Sequence, residues 1–194
     1  GGIITTNDSE LAHRMRIFRN HGISTDHRQR AEEGNFLYEM VDLGYNYRIT
    51  DFQCALGLSQ LRKLPEYILR RHEIASCYAR AFVDCPEIQP LLVRDDVSHA
   101  YHLFTVKLEL ARLATDRAQI VDALRAENIG VNVHYMPVYW HPYYRNLGYE
   151  KGICQIAEAV FQQILSLPIF PMMTDSDVND VINATKRVLN EFRA

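Results

Sequence analysis

Apolar positions along the chain fall into helical and alternating registers. Leu11, Met15 and Phe18 repeat at helical spacing behind Asn7 and Glu10, which pair as a capping box, and Gly22 supplies the stop. A second box, Thr50 and Gln53, opens a stripe of Phe52, Leu56, Leu61 and Ile68 that Pro65 interrupts and Ile74, Tyr78 and Phe82 resume. This predicts a long helix pair of the kind that joins two domains. Between the stripes, residues 23–40 are polar and Gly-containing and read as loop, and Leu43–Ile49 as an aromatic, Asn-bearing connection. The opening residues, Gly1–Thr6, read as a short strand behind a glycine hinge. A strand needs neighbours for its backbone groups, so a piece of a larger domain is the expectation.

After Cys85-Pro86 the pattern changes. Tyr101–Leu110 alternates and predicts a strand, 116–127 a helix with Ile120 and Leu124 inward that stops near Gly130, and Val131–Tyr135 a second strand. A helix follows over 153–165, then a short extended piece, Leu167–Phe170. Thr174 and Asp177 cap a last helix that carries Val178, Val181, Val188 and Phe192. Alternating strands and helices imply a small α/β domain. Residues 1–70 read as the end of one domain plus the start of a linking helix, and 71–194 as the rest of that helix and the small domain.

Composition narrows the function classes. Net charge is −3 with Lys and Arg spread along the chain, which argues against a nucleic-acid grip. No apolar run approaches the roughly 18 residues of a membrane span. Cys54, Cys77, Cys85 and Cys154 show neither metal-ligand nor redox spacing, so reduced thiols and a cytoplasmic location are expected.

Four groups of residues can carry chemistry. Leu43–Asp51 places an amide, Asn46, two phenols, Tyr45 and Tyr47, and a guanidinium, Arg48, at the entry to a helix, where amide and guanidinium can grip a phosphate or carboxylate. His134-Tyr135 ends a predicted strand, where an imidazole can bond a phosphate or sugar hydroxyl. His141 lies seven residues on, with no third metal ligand at supporting spacing. Arg19-Asn20-His21-Gly22 reads equally as a helix C-cap or a site edge. Trp140, Tyr143, Tyr144 and Tyr149 can stack on a nucleobase or pack internally.

The stretches GGIITTNDSELAHRMRIFRNHG, LGYNYRITDFQCALGLSQLRKL and VNVHYMPVY, in this order, resemble the DegT/StrS-type sugar aminotransferases over nearly the whole chain. Val131–Tyr149 looks most like the branch that makes 4-amino sugars in pseudaminic-acid-type pathways. The resemblance implies the C-terminal part of a fold-type-I pyridoxal-phosphate enzyme: the end of the large domain, a linking helix and a small α/β domain. It implies a homodimer with shared active sites, pyridoxal 5'-phosphate as cofactor, and a nucleotide-sugar and an amino acid as substrates. By the same resemblance Asn46 reaches the cofactor phosphate of the neighbouring subunit, and Arg48, His134, Tyr135 and His21 line the substrate side.

Transamination requires a Schiff-base lysine. In the family it precedes the glycine pair, which puts it upstream of Gly1. Lys63, Lys107, Lys151 and Lys186 lack that context. A lysine upstream means aminotransferase and a histidine there means the related sugar dehydratases. A genuine start immediately before Gly1 would instead favour a stand-alone, non-catalytic dimerisation or binding module.

Overall fold

The computed structural model describes residues 2–34 and 36–194, so Gly1 of the predicted opening strand lies outside them. The chain divides into two compact units, Gly1–Lys63 and Leu64–Ala194.

In the first unit, residues 2–7 are irregular rather than a strand. Ile3 and Ile4 have β propensity, but no described strand pairs with them, and an unpaired strand makes no ladder. Helix α1 spans Ser9–Phe18. Its cap is Asp8, not Asn7: the Asp8 carboxylate accepts from the Leu11 N–H at 3.0 Å. Past the helix end, the Gly22 N–H returns to the Ile17 carbonyl at 3.0 Å. Gly22 has φ +71°, and a Cβ there would stand 1.6 Å from the Asp42 carbonyl oxygen. A Cβ on Gly44 would stand 2.1 Å from the Gly22 nitrogen, so two backbones pass where only glycine fits. Between them the segment read as pure loop contains α2, His27–Glu32. Asp26 and Gln29 form its capping box, a polar signal that the search for apolar periodicity passed over.

Helix α3 is continuous over Asp51–Ala81, one helix where the sequence predicted a pair. Pro65 removes one N–H, and its neighbours Leu61, Arg62, Lys63, Leu64 and Glu66 are good helix formers that sustain the turns around it. Gln53 and Thr50 cap its start as predicted.

The second unit holds a three-stranded antiparallel sheet in the order β1-β2-β3. Strand β1 is Ile88–Pro90, β2 Phe104–Leu108 and β3 Ile164–Leu167. The register sets Phe104 against Leu167 and Val106 against Leu165 on one face, and Thr105 against Ser166 on the other. The first face is covered by Ile74, Ala75 and Tyr78 of α3, by Ile120 and Leu124 of α4 (Arg117–Ala126), and by Val178, Val181, Val188 and Leu189 of α7 (Asp175–Glu191). The Tyr78 hydroxyl donates to the Pro168 carbonyl at 2.8 Å, and burial pushes this phenol's pKa up. Helices α5 (Pro142–Asn146) and α6 (Gln155–Gln163) complete the unit.

Several boundaries moved. The strand predicted over Tyr101–Leu110 is shorter, and β1 was not anticipated because three residues carry no periodicity. Helix α4 is closed by Asn128, at φ 63°, rather than by Gly130. Val131–Tyr135 is not a full strand and joins the sheet through a single bridge, Asn132 to Ser166. The helix predicted to 165 ends at Gln163, and the extended piece begins at Ile164, not Leu167. The box at Thr174 and Asp177 stands as predicted.

Candidate functional site

In the first unit, the segment after Gly44 is clamped to the end of α1. Tyr45 N–H donates to the Phe18 carbonyl at 2.7 Å, His21 N–H to the Tyr45 carbonyl at 3.0 Å, and Tyr47 N–H to the Arg19 carbonyl at 2.9 Å. Alternation along this extended piece separates two faces. Tyr45 and Tyr47 stack with ring centroids 5.2 Å apart, and Phe18 meets both edge-on. Asn46 and Arg48 take the opposite face. Arg48 Nη1 donates to Asn20 Oδ1 at 2.7 Å, while the exposed Asn46 amide has no side-chain hydrogen bond among the described residues.

Arg48 and His21 lie on the wall of a cavity of about 800 Å³ lined also by His13, Arg16, Arg19, Arg28 and Arg30. Among the described residues Asp26 is the one carboxylate on that wall, and its Oδ1 already accepts two backbone N–H groups of α2. Arg30 is held in place by the Thr25 carbonyl at 2.7 Å and by the Tyr38 ring, 5.1 Å away. Five guanidinium groups against one carboxylate make the wall strongly positive, suited to phosphate or carboxylate. Sequence reading found His21 and Arg48 but not Arg16, which stood on the polar side of a predicted helix, nor Arg28 and Arg30, which stood in a segment read as loop.

His134 and Tyr135 belong to the second unit, with His134 on the sheet face that carries Ser166. The His134 ring is half-buried, with Nδ1 2.9 Å from Ser166 Oγ. Tyr135 is exposed and meets that ring edge-on at 4.6 Å. The aromatic cluster splits. Trp140 packs against Phe161 with Lys151 Nζ 4.3 Å above it, whereas Tyr143, Tyr144 and Tyr149 stay exposed and touch one another edge-on. No group of three metal-ligating side chains forms among the described residues. Of the lysines, Lys107 sits in β2 beside Glu109 and Lys186 in α7, and none of the four lines the arginine wall.

A clamped Asn-Tyr-Arg segment therefore precedes a long helix, and a small α/β unit follows it in the chain. The chain matches the DegT/DnrJ/EryC1/StrS aminotransferase family over residues 1–186 and belongs to it. It is 38% identical to the spore coat polysaccharide biosynthesis protein SpsC of Bacillus subtilis, over 97% of this chain and 49% of that protein. Its fold superposes on PseC of Helicobacter pylori, an aminotransferase of pseudoaminic acid biosynthesis, with TM-score 0.83 and 30% identity over 96% of this chain and 48% of PseC. The PLP form of Spr1654 from Streptococcus pneumoniae, assigned as a sugar aminotransferase, gives TM-score 0.83 and 27% identity over 96% of this chain and 45% of that one. The chain spans about half the length of the curated relatives it matches.

The residues present fit the phosphate end of that cofactor. Asn46 offers an amide whose two N–H groups have no partner among the described residues, and the Phe18–Tyr45–Tyr47 cluster fixes the backbone that carries it. No helix of the described residues is long and apolar enough to cross a membrane.

Proposed function

We propose that this chain forms the substrate-holding and cofactor-phosphate-holding part of an aminotransferase that moves an amino group from an amino acid, glutamate, to a 4-keto nucleotide-sugar. The observation that carries the reading is the exposed pair Asn46 and Arg48 on one face of a clamped segment, with Arg48 on a five-arginine wall. Pyridoxal phosphate, when bound, supplies the electron sink that lets an amino group pass between two carbon centres. Asn46 donates to its phosphate. Arg48, with His21 nearby on the wall, binds the anionic groups of the substrates, and His134 with Tyr135 takes the nucleotide-sugar side in the small unit.

The covalent attachment falls to a lysine outside these 194 residues. Lys63, Lys107, Lys151 and Lys186 have surface or sheet roles. The active protein is a homodimer with sites built from both subunits. The apolar surface that the first unit exposes, Phe36, Leu37, Phe52 and Leu56 among it, supports such a cover.

The test is isotope transfer. The intact protein is incubated with [15N]glutamate and a panel of 4-keto nucleotide-sugars, and the product is read by mass. Label in a 4-amino nucleotide-sugar is the expected result. Arg48→Ala raises KM for the nucleotide-sugar about tenfold, the size of one lost charge-assisted bond. Label in no product with any member of the panel overturns the reading.

A further inference from the structure

Beneath His134 runs a hydroxyl relay that joins residues far apart in sequence. Ser166 is 4% exposed and sits in the middle of a row: β2 pairs it with Thr105, and the 131–134 segment bridges to it through Asn132. Its backbone N–H donates to the Asn132 carbonyl at 2.8 Å. Val131 and Val133 pack into the core, so alternation turns Asn132 and His134 to the face that carries Thr105 and Ser166. The Ser166 oxygen then has two polar neighbours, Thr105 Oγ1 at 3.2 Å and His134 Nδ1 at 2.9 Å.

The two possible directions of this relay are not equal. A serine hydroxyl has one proton to give, and a neutral imidazole donates from one nitrogen and accepts at the other. If His134 donated from Nδ1, Ser166 would pass its proton to Thr105, and the half-buried Thr105 hydroxyl would have no side-chain acceptor and would have to turn its own proton to solvent. Ser166 is its one side-chain partner among the described residues. If Thr105 donates to Ser166 and Ser166 to Nδ1, every proton in the row is used. That direction leaves Nδ1 bare of hydrogen and puts the ring's proton on Nε2.

We propose that Ser166, fed by Thr105, is a positioning residue that fixes His134 as an Nε2–H donor, so that His134 binds an oxygen acceptor on its ligand rather than removing a proton from it. The acceptor chemistry is that of a phosphate, sugar hydroxyl or carbonyl oxygen. The ligand part of this inference rests on the reading of His134 as a lining residue of the nucleotide-sugar pocket. The tautomer part rests on the row alone.

The experiment separates the two. Histidine ring nitrogens of the intact protein are labelled with 15N, and the His134 signals are assigned by comparison with His134→Gln. The wild type should show an unprotonated Nδ1 and a protonated Nε2. Ser166→Ala should move both signals toward the averaged values of an unfixed ring, and Ser166→Thr, which keeps the hydroxyl, should restore them. Amide spectra of α4 and α7 report whether each variant is folded. UDP is then titrated as the probe. His134→Gln should weaken it about tenfold and Ser166→Ala about fivefold, with Ser166→Thr close to wild type. A wild-type ring protonated on Nδ1, or a tautomer unmoved by Ser166→Ala in a folded protein, overturns the relay. A relay that behaves as stated while UDP affinity ignores both variants overturns the pocket reading instead.

Discussion

The two halves of helix α3 obey different rules. Toward its end, Ile74, Ala75 and Tyr78 are fully or almost fully buried and anchor a core that reaches both flanking helices and the sheet. Toward its start, Phe52 is 91% exposed and Leu56 63%. The contrast extends to the units: among the described residues of the first, Gly22 alone is buried, whereas the second carries the whole core cluster. The second unit is held by apolar burial, and the first by backbone clamps, aromatic edges and helix caps. Among the described residues the first unit leaves large apolar side chains such as Phe36 and Phe52 on its surface with no buried core beneath them.

The largest effect that separates the halves is Tyr78→Ala, which removes a buried ring and should cost about 3–5 kcal/mol of unfolding free energy. Phe52→Ser in the same helix should change that free energy by no more than about 0.5 kcal/mol, but should weaken self-association. Denaturant titration and sedimentation read the two quantities. Equal costs in unfolding, or unchanged self-association of Phe52→Ser, break the comparison.

Next comes Gly22→Ala, where strain and the Asp42 carbonyl both oppose a side chain. It should cost about 2 kcal/mol, confined to the first unit. Hydrogen exchange should speed at the Val41 and Tyr45 amides and stay slow in β2. Thr174→Ala removes the cap of α7 and should cost about 1 kcal/mol, read as a lower melting temperature.

The smallest effect is electrostatic. Burial opposes charge on Glu87, but hydrogen bonds from Arg193 and the Glu87 backbone N–H, with the charges of Arg193 and Arg112, together hold its carboxyl below the usual range. The Thr174 hydroxyl and N–H do the same for Asp177. A carboxyl depressed in the folded state stabilises it above the unfolded value, roughly 4, and that contribution is lost as pH falls through the folded value. The second unit should therefore lose stability on acidification below that value, and Arg193→Ala should flatten the loss. An unchanged acid slope in Arg193→Ala would remove Glu87 from the account.

What the sequence made legible follows the same division. Helix α4 and the Thr174 box were readable because their signals are local: Ile120 and Leu124 one turn apart, Thr174 and Asp177 three residues apart. Strand β3 was placed too late because Ile164–Phe170 is apolar but for Ser166 and offers no clear period. Helix α2 was missed because its evidence is a polar box, Asp26 with Gln29, inside a stretch without an apolar stripe. The Asn46 and Arg48 pair was visible as a motif. The arginine wall around Arg48 was not, since it gathers residues from α1, α2 and the segments after each. The partnership of His134 with Ser166 spans 32 residues and depends on a strand register that nothing in the local sequence announces.

The central claim, that Asn46 holds the cofactor phosphate, is tested most directly by the dissociation constant of pyridoxal phosphate for the intact protein and its Asn46→Ala variant, measured by equilibrium dialysis at equal protein concentration. Binding should be about tenfold weaker in Asn46→Ala, with an unchanged melting temperature of the unliganded protein. Equal dissociation constants for the two proteins would contradict it.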